Sequence, residues 1–527
     1  MRRLFVALLL AGGFCLSVVP IFAASIQKQI TLTSLGGSLN LESGDLSTPP
    51  TDYTIVENVD FQVSGILSKR PGYTKLNATA ITGAPTITGL YDYRKADGST
   101  FFIIGATDGE LYKDLSGTPT SISTGHATGE ANTWNFETWK DEVVMCNNAT
   151  GVFAQKFDGT TVSVLGTGAG GGVAPTTCSI PKVYRSRLFI AQVDSSVLHY
   201  SAGDTLEDFT TADAGFENIG DDDGDIITGL EPFLNILVVF KRNSTYIITG
   251  GDPSTWAISK LSNNVGAACR RCVAQVPTRD GHDLIFIHES GVYSLRGVDQ
   301  FGDLLPAKLS FKINSLWEGL NKGRIEHSQI VYHAPTGQVW ITTTKDSTTA
   351  NDIILKFYSH NVGWATMTHA AHSIGTRLDV AQDTVLYTGD TGGFVYKQHQ
   401  GDNDAGAGIA GSFRTAWLHG GNPATIKKWY QLVIFYEPVG AYPLVIDYEV
   451  NGGTVSSGTL TLVAGGDVLD STFILDTSIL GGSTLHKIKF PDALGEGELV
   501  RVKISNSNAD QPFRIHGLVI RYTEADR

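Results

Sequence analysis

The chain has 527 residues, of which 42% are apolar and 17% charged, with 59 glycines and a formal net charge of −14. That length supplies material for sizeable cores, and the charge excludes general electrostatic attraction to nucleic acid, which needs clustered Lys and Arg. Many Thr, Val and aromatic residues set among glycines favour strands with tight turns, so an all-β fold is expected.

Residues 1–24 carry Arg2 and Arg3, an apolar run from Leu4, and Pro20-Ile-Phe-Ala-Ala24. This fits a secretory leader cleaved near Ala23 or Ala24, or an uncleaved hydrophobic N-terminus. Residues 25–80 read as an extended N-terminal arm. Within it, Lys69-Arg-Pro-Gly-Tyr-Thr74 suggests a type II turn, with Pro71 at i+1 and Gly72 at positive φ at i+2, redirecting the arm onto the strands after residue 80.

From residue 81 to 400 one unit recurs: a short apolar strand, a Gly/Asp/Asn turn, and a second strand with Tyr or Phe. Its instances start at 101, 143, 188, 237, 284, 339 and 385, spaced by 42, 45, 49, 47, 55 and 46 residues. This is the period of four-stranded propeller blades, so a six- or seven-bladed β-propeller is expected, each instance being the inner hairpin of a blade. Leu309–Leu320 breaks the pattern as a short helix between blades, with Phe311, Leu316 and Leu320 as its apolar face and Ser310 as N-cap. Residues 401–411, rich in small residues, read as a linker, and 412–527 as a small antiparallel β-sandwich with strands that alternate apolar and polar.

Several clusters bear on chemistry. Cys269-Arg-Arg-Cys272 lacks the second ligand pair of a zinc site and the βαβ setting of a redox motif, so it reads as two small residues at the start of a blade strand. Five cysteines are too few and too uneven for a disulfide framework, which leaves stability to packing. Asp221-Asp-Asp-Gly-Asp225 resembles a calcium loop but has Gly224 one place early and no closing Glu; a solvated turn is the plainer reading. His369 with His372, and Glu326-His327 with His333, read as ordinary blade or loop residues, because a spacing of three does not put two imidazoles on one strand face. No residue is assigned as catalytic, cofactor-binding or metal-binding, and no enzyme is expected.

The order of the N-terminal motifs resembles a known family. Leu35-Gly-Gly-Ser-Leu-Asn40, Pro49-Pro50, Glu57-Asn-Val-Asp60 and Lys69-Arg-Pro-Gly-Tyr-Thr74 look like the opening of the tail nozzle or hub (tail stabilisation) proteins of short-tailed bacteriophages. The likeness continues at Asp225–Leu230 with Leu237–Lys241, at Gly266–Val273 with Leu284–Tyr293, and at Lys427–Val433. The resemblance implies a structural protein of the virion tail, built on a β-propeller and forming a homo-hexameric ring below the portal and adaptor that conducts or gates genome ejection. Its partners would be further copies of itself, adaptor or portal-proximal proteins, tail fibres or a tail needle, and DNA passing without sequence recognition. An acidic wall suits such transit, since each Lys–phosphate contact would add friction. Lys69 and Arg70 are then candidates for contact with a neighbouring subunit. The alternative is a secreted or periplasmic propeller that binds glycans or surface polymers.

Overall fold

The structure, a computed structural model, describes residues 27–114, 116–166, 174–220, 223–278, 281–298, 303–464, 485–490 and 493–525. The leader-like segment, Cys15, Asp221 and Asp222 lie outside them. Strands dominate, and the recurring unit of the sequence becomes a β-propeller. Six four-stranded antiparallel sheets stand separately, and a seventh four-stranded unit forms one end of a nine-stranded sheet.

In chain order, blade 1 begins with Ile87–Arg94, blade 2 with Asn135–Trp139, blade 3 with Ile180–Tyr184 and blade 4 with Ile227–Phe233. Blade 5 begins with Val273–Thr278, blade 6 with Gln329–His333 and blade 7 with Ser373–Leu378. These first strands pack against one another around the axis, and those of blades 1 and 7 meet to close the ring. The apolar runs found in the sequence are therefore the second strands, one step out from the axis: Glu142–Cys146 and Arg187–Ala191, for example, are almost wholly buried. They are apolar on both faces because each blade is covered by a neighbour on either side. In their hairpins Gly109, Asn148, Asp194 and Gly393 take positive φ, as expected of Gly and short polar residues.

The ring is closed by a strand from outside the repeat. Tyr73–Lys75 pairs antiparallel with Val395–Gln398 and so completes blade 7. The remaining N-terminal strands do not form an arm. Tyr53–Glu57 joins the last strand of blade 6 on one side and Gly411–Thr415 on the other, extending that sheet through Val500–Asn506, Pro443–Val450 and Ser456–Thr461. Val59–Phe61, Leu67–Lys69 and Gln27–Leu32 instead enter a second sheet built on Arg514–Glu524 and Lys427–Tyr436. The unit beyond the propeller is thus woven from both chain ends, not from residues 412–527 alone. The two sheets contribute Tyr53, Phe61, Phe413, Trp429, Ile446 and Leu518 to one apolar core that continues into blades 4 to 6. Strict alternation along Val500–Asn506 has the basis expected from its sequence, one face toward this core.

The helical break is present but turned. A 3-10 turn, Ser310–Ile313, leads into the short helix Asn314–Glu318. Ile313, Trp317 and Leu320 are buried, while Phe311 is 68% exposed. Ser310 caps nothing; its Oγ accepts the Val292 N–H. The i, i+4 pair of Ile313 and Trp317 sets the inward face, and the indole N–H donates to the Glu289 carbonyl.

The four cysteines among the described residues pair. Cys146 is bonded to Cys178, linking blade 2 to the approach to blade 3, and Cys269 is bonded to Cys272, with Cα–Cα 5.2 Å in each case. Packing is therefore supplemented by cross-links that the uneven spacing concealed. Cys146 and Cys178 are 32 residues apart and meet only because blades stack side by side.

Candidate functional site

Two of the N-terminal motifs, Glu57–Asp60 and Lys69–Thr74, converge on one buried junction between the propeller and the two-sheet unit. Asn58 sits where the chain leaves the first sheet for the second and takes φ 53°, a left-handed conformation that Asn tolerates. Its Oδ1 accepts from Arg70 Nε at 2.9 Å and from the Thr368 N–H at 3.2 Å, and its Nδ2 donates to the Ala410 carbonyl at 3.1 Å. Two residues on, Asp60 reaches blade 6: Lys356 Nζ donates to its Oδ1 at 2.8 Å and the Tyr358 hydroxyl does so at 2.7 Å. Phe61 packs edge-on against the Tyr358 ring.

Lys69 and Arg70, read as candidates for a neighbouring subunit, are both buried inside the chain. Lys69 Nζ donates to Asn506 Oδ1 at 2.9 Å and to the Asn508 carbonyl at 2.8 Å. Burial, with the adjacent Arg70 charge, pulls its ammonium down to about 8. Arg70 forms a two-pronged pair with Asp404, Nη1 to Oδ1 at 2.8 Å and Nη2 to Oδ2 at 2.6 Å. A short basic stretch has the same sequence signature whether solvated or buried. Distant acceptors at 404 and 506–511 decide the matter here, and neither side chain remains on the surface for another subunit.

The turn reading of Pro71-Gly72 also changes. Gly72 does not take positive φ, and the chain runs on into Tyr73–Lys75 without a turn. Glycine is needed there for space: a Cβ at 72 would lie 1.8 Å from the Asn403 carbonyl oxygen. The 401–411 segment is correspondingly packed, with the Gly72 N–H donating to the Gly401 carbonyl and the Ala405 N–H to the Tyr73 carbonyl. Its small residues allow backbone to approach backbone. Gly72→Ala is expected to lose about 1–3 kcal/mol of stability by overpacking a junction whose obstacle is main chain; an unchanged urea midpoint would contradict this.

The other clusters resolve separately. His369 and His372 flank one loop but face apart: His369 lies against Tyr73, its Nε2 3.0 Å from Thr388 Oγ1, and His372 lies toward His327. Burial pushes them down to about 3 and about 4. His333 is held by Thr336 and the Thr384 carbonyl. Asp223 pairs with Lys241, and Asp225 accepts from the N–H of Asn243. Among the described residues no three His, Cys, Asp or Glu side chains come together as a metal set.

Cys269-Arg-Arg-Cys272 proves to be the crossbeam of the propeller. It forms a turn, closed by the Cys269–Cys272 disulfide, that leads into blade 5, and its two arginines diverge from that turn. Arg270 reaches blade 3, with Nε donating to Ser179 Oγ at 2.9 Å and Nη2 to Asp194 Oδ1 at 2.8 Å. Arg271 reaches the first strands of blades 1 and 7, donating to the carbonyls of Thr88, Leu90 and Ile374. Gln329 of blade 6 joins it, donating to the Thr88 carbonyl and accepting the Ile374 N–H. Side chains from blades 3, 5 and 6 thus meet main-chain groups of blades 1 and 7 across the axis. Nothing in a local CxxC spacing signals this, since the partners lie about 60 to 180 residues away in either direction.

No protein-family model and no curated protein matches the sequence. Among solved structures, the chain is similar to YCF48 bound to D1 peptide, at 9% identity and TM-score 0.37 over 62% of this chain and 97% of that one. It is similar to BamB from Moraxella catarrhalis, at 14% identity and TM-score 0.35 over 71% and 98%. The Neurospora crassa Pan2 WD40 domain gives 10% identity and TM-score 0.37 over 62% and 96%. Likeness this distant supports no inference about activity. What the sheets themselves establish is that the chain is an all-β protein built on a β-propeller.

Proposed function

We propose that this protein is a structural component of a short-tailed bacteriophage tail, a nozzle or hub subunit that forms a homo-hexameric ring and continues the channel through which the genome leaves. The observation that carries the reading is the convergence of Asn58, Asp60, Lys69, Arg70 and Gly72 on one buried junction. Two of the motifs that resemble the tail family, Glu57–Asp60 and Lys69–Thr74, act together there to lock a propeller onto a second unit. A part that must hold its shape under load needs such a lock. Because side chains span the propeller axis, the route for DNA would run through the centre of the ring of copies, not through a single propeller. The net charge of −14 suits a wall that does not retain phosphates.

Electron microscopy and mass photometry of the purified protein test this, together with proteomics of intact particles. Rings with a central lumen and six times the protomer mass are expected. A protein that stays monomeric at micromolar concentration and is absent from every particle would overturn the reading.

The two disulfides favour a second reading, a secreted or periplasmic propeller binding glycans or surface polymers, because disulfides persist in oxidising compartments. N-terminal sequencing discriminates: a mature start near Ala24 in culture supernatant supports secretion, and recovery only within particles opposes it.

A further inference from the structure

Beside the Cys269–Cys272 crossbeam lies an axial cavity of about 200 Å³, whose polar lining is Tyr91, Asn135, Lys182, Glu231, Arg270 and Arg271. Its charges divide unevenly. Lys182 Nζ stands 3.5 Å from Glu137 Oε2 and 3.1 Å from Glu231 Oε2, and the other Glu231 oxygen accepts from Gln275 Nε2 at 2.8 Å. Both carboxylates therefore belong to Lys182 and its neighbours. Arg270 has Asp194.

Arg271 has no such partner among the described residues. Among the described residues its guanidinium donates hydrogen bonds to main-chain carbonyls alone, Thr88 at 3.0 Å and Leu90 and Ile374 at 3.4 Å each. Burial, with no opposing charge beside it, pulls the group down to about 10. A guanidinium taken out of water without a counter-charge is a standing cost to the fold, and carbonyl dipoles offset it only in part. An anion in the adjoining cavity would remove the cost. The planar fork of Arg matches an oxyanion in two parallel hydrogen bonds. The charges of Arg270 and Lys182 in the same walls are already balanced by Asp194, Glu137 and Glu231, which leaves Arg271 as the cation that an anion would pair.

We propose that the propeller axis holds a binding site for a small oxyanion, a phosphate or a carboxylate, taken by the Arg271 guanidinium between Arg270 and Lys182. The site is independent of ring assembly and would exist in a single copy of the chain.

The test measures the thermal unfolding midpoint of the full-length protein against inorganic phosphate and, separately, succinate, with sodium chloride at matched ionic strength as reference. A saturable rise with one or both oxyanions and none with chloride is expected, and the anion giving the larger rise identifies the source. In Arg271→Gln the saturable rise should vanish. Equal shifts in chloride, or an undiminished rise in Arg271→Gln, would overturn the site. Should that variant fail to fold, the wild-type protein crystallised in selenate decides the matter. Anomalous density within hydrogen-bond distance of Arg271 supports the proposal, and an axial cavity without it refutes the site.

Discussion

Replacing Asp60 with alanine is expected to destabilise the protein by about 3–5 kcal/mol, the cost of leaving a buried charge without its partner. Lys356 and Asp60 have side chains only 2% and 4% exposed and sit 2.8 Å apart. The Lys356 ammonium also lies over the Trp340 ring, 4.3 Å from its centroid. Removing both charges should be milder than removing one: Asp60→Leu with Lys356→Met is expected to recover much of the loss, because desolvation and attraction disappear together. Urea midpoints of the two single variants and the double variant measure this. A double variant as unstable as the sum of the singles would show that the pair is not coupled.

The same pair gives the stability a definite dependence on acid. Burial pushes the Asp60 carboxyl up, but the Lys356 charge and the hydrogen bonds from Lys356 and Tyr358 outweigh it and hold the group below the ordinary carboxylate range. A carboxyl whose folded value lies below its unfolded value contributes stability that is complete above the unfolded value, about 3.9, and that is lost as pH falls through the folded value. Wild type should therefore lose stability below about pH 4 more steeply than the Asp60→Ala variant, which has no such proton to bind.

Arg70→Met is the second large loss expected, toward the lower end of about 3–5 kcal/mol because Asp404 keeps a side chain 13% exposed to water. The change also deprives Asn58 Oδ1 of one of its donors. Arg70→Lys keeps the charge but cannot supply the fork and the Nε bond at once, so it should rescue only part of the loss. The damage should appear locally as faster proteolysis between residues 399 and 411, the segment that Arg70 and Gly72 hold. Full rescue by lysine would mean that charge alone, without geometry, secures the junction.

These effects concentrate where sequence reading was weakest. The blades were legible because the second and third strands of each are neighbours in the chain: Leu237–Ile247 or Leu284–Tyr293 carries its own hairpin, with turn residues in place and both faces apolar. Local pairing leaves a local pattern, and seven repetitions of it gave the propeller away. The alternation along Val500–Asn506 was legible for the same reason, since a strand records which of its faces meets a core.

What the sequence alone determined, then, is the repeat: all-β architecture, blade period and the apolar strand within each blade. The tertiary structure decided everything that joins residues hundreds of positions apart. It assigned Tyr73–Lys75 to blade 7, wove the strands between Gln27 and Lys69 into sheets made by residues 411–524, buried Lys69 and Arg70, and laid Arg270 and Arg271 across the axis. Such pairings leave no periodicity to read, because a strand or a charge chooses its distant partner by shape and by the cost of being left unpaired. Neither quantity exists until the chain has closed on itself.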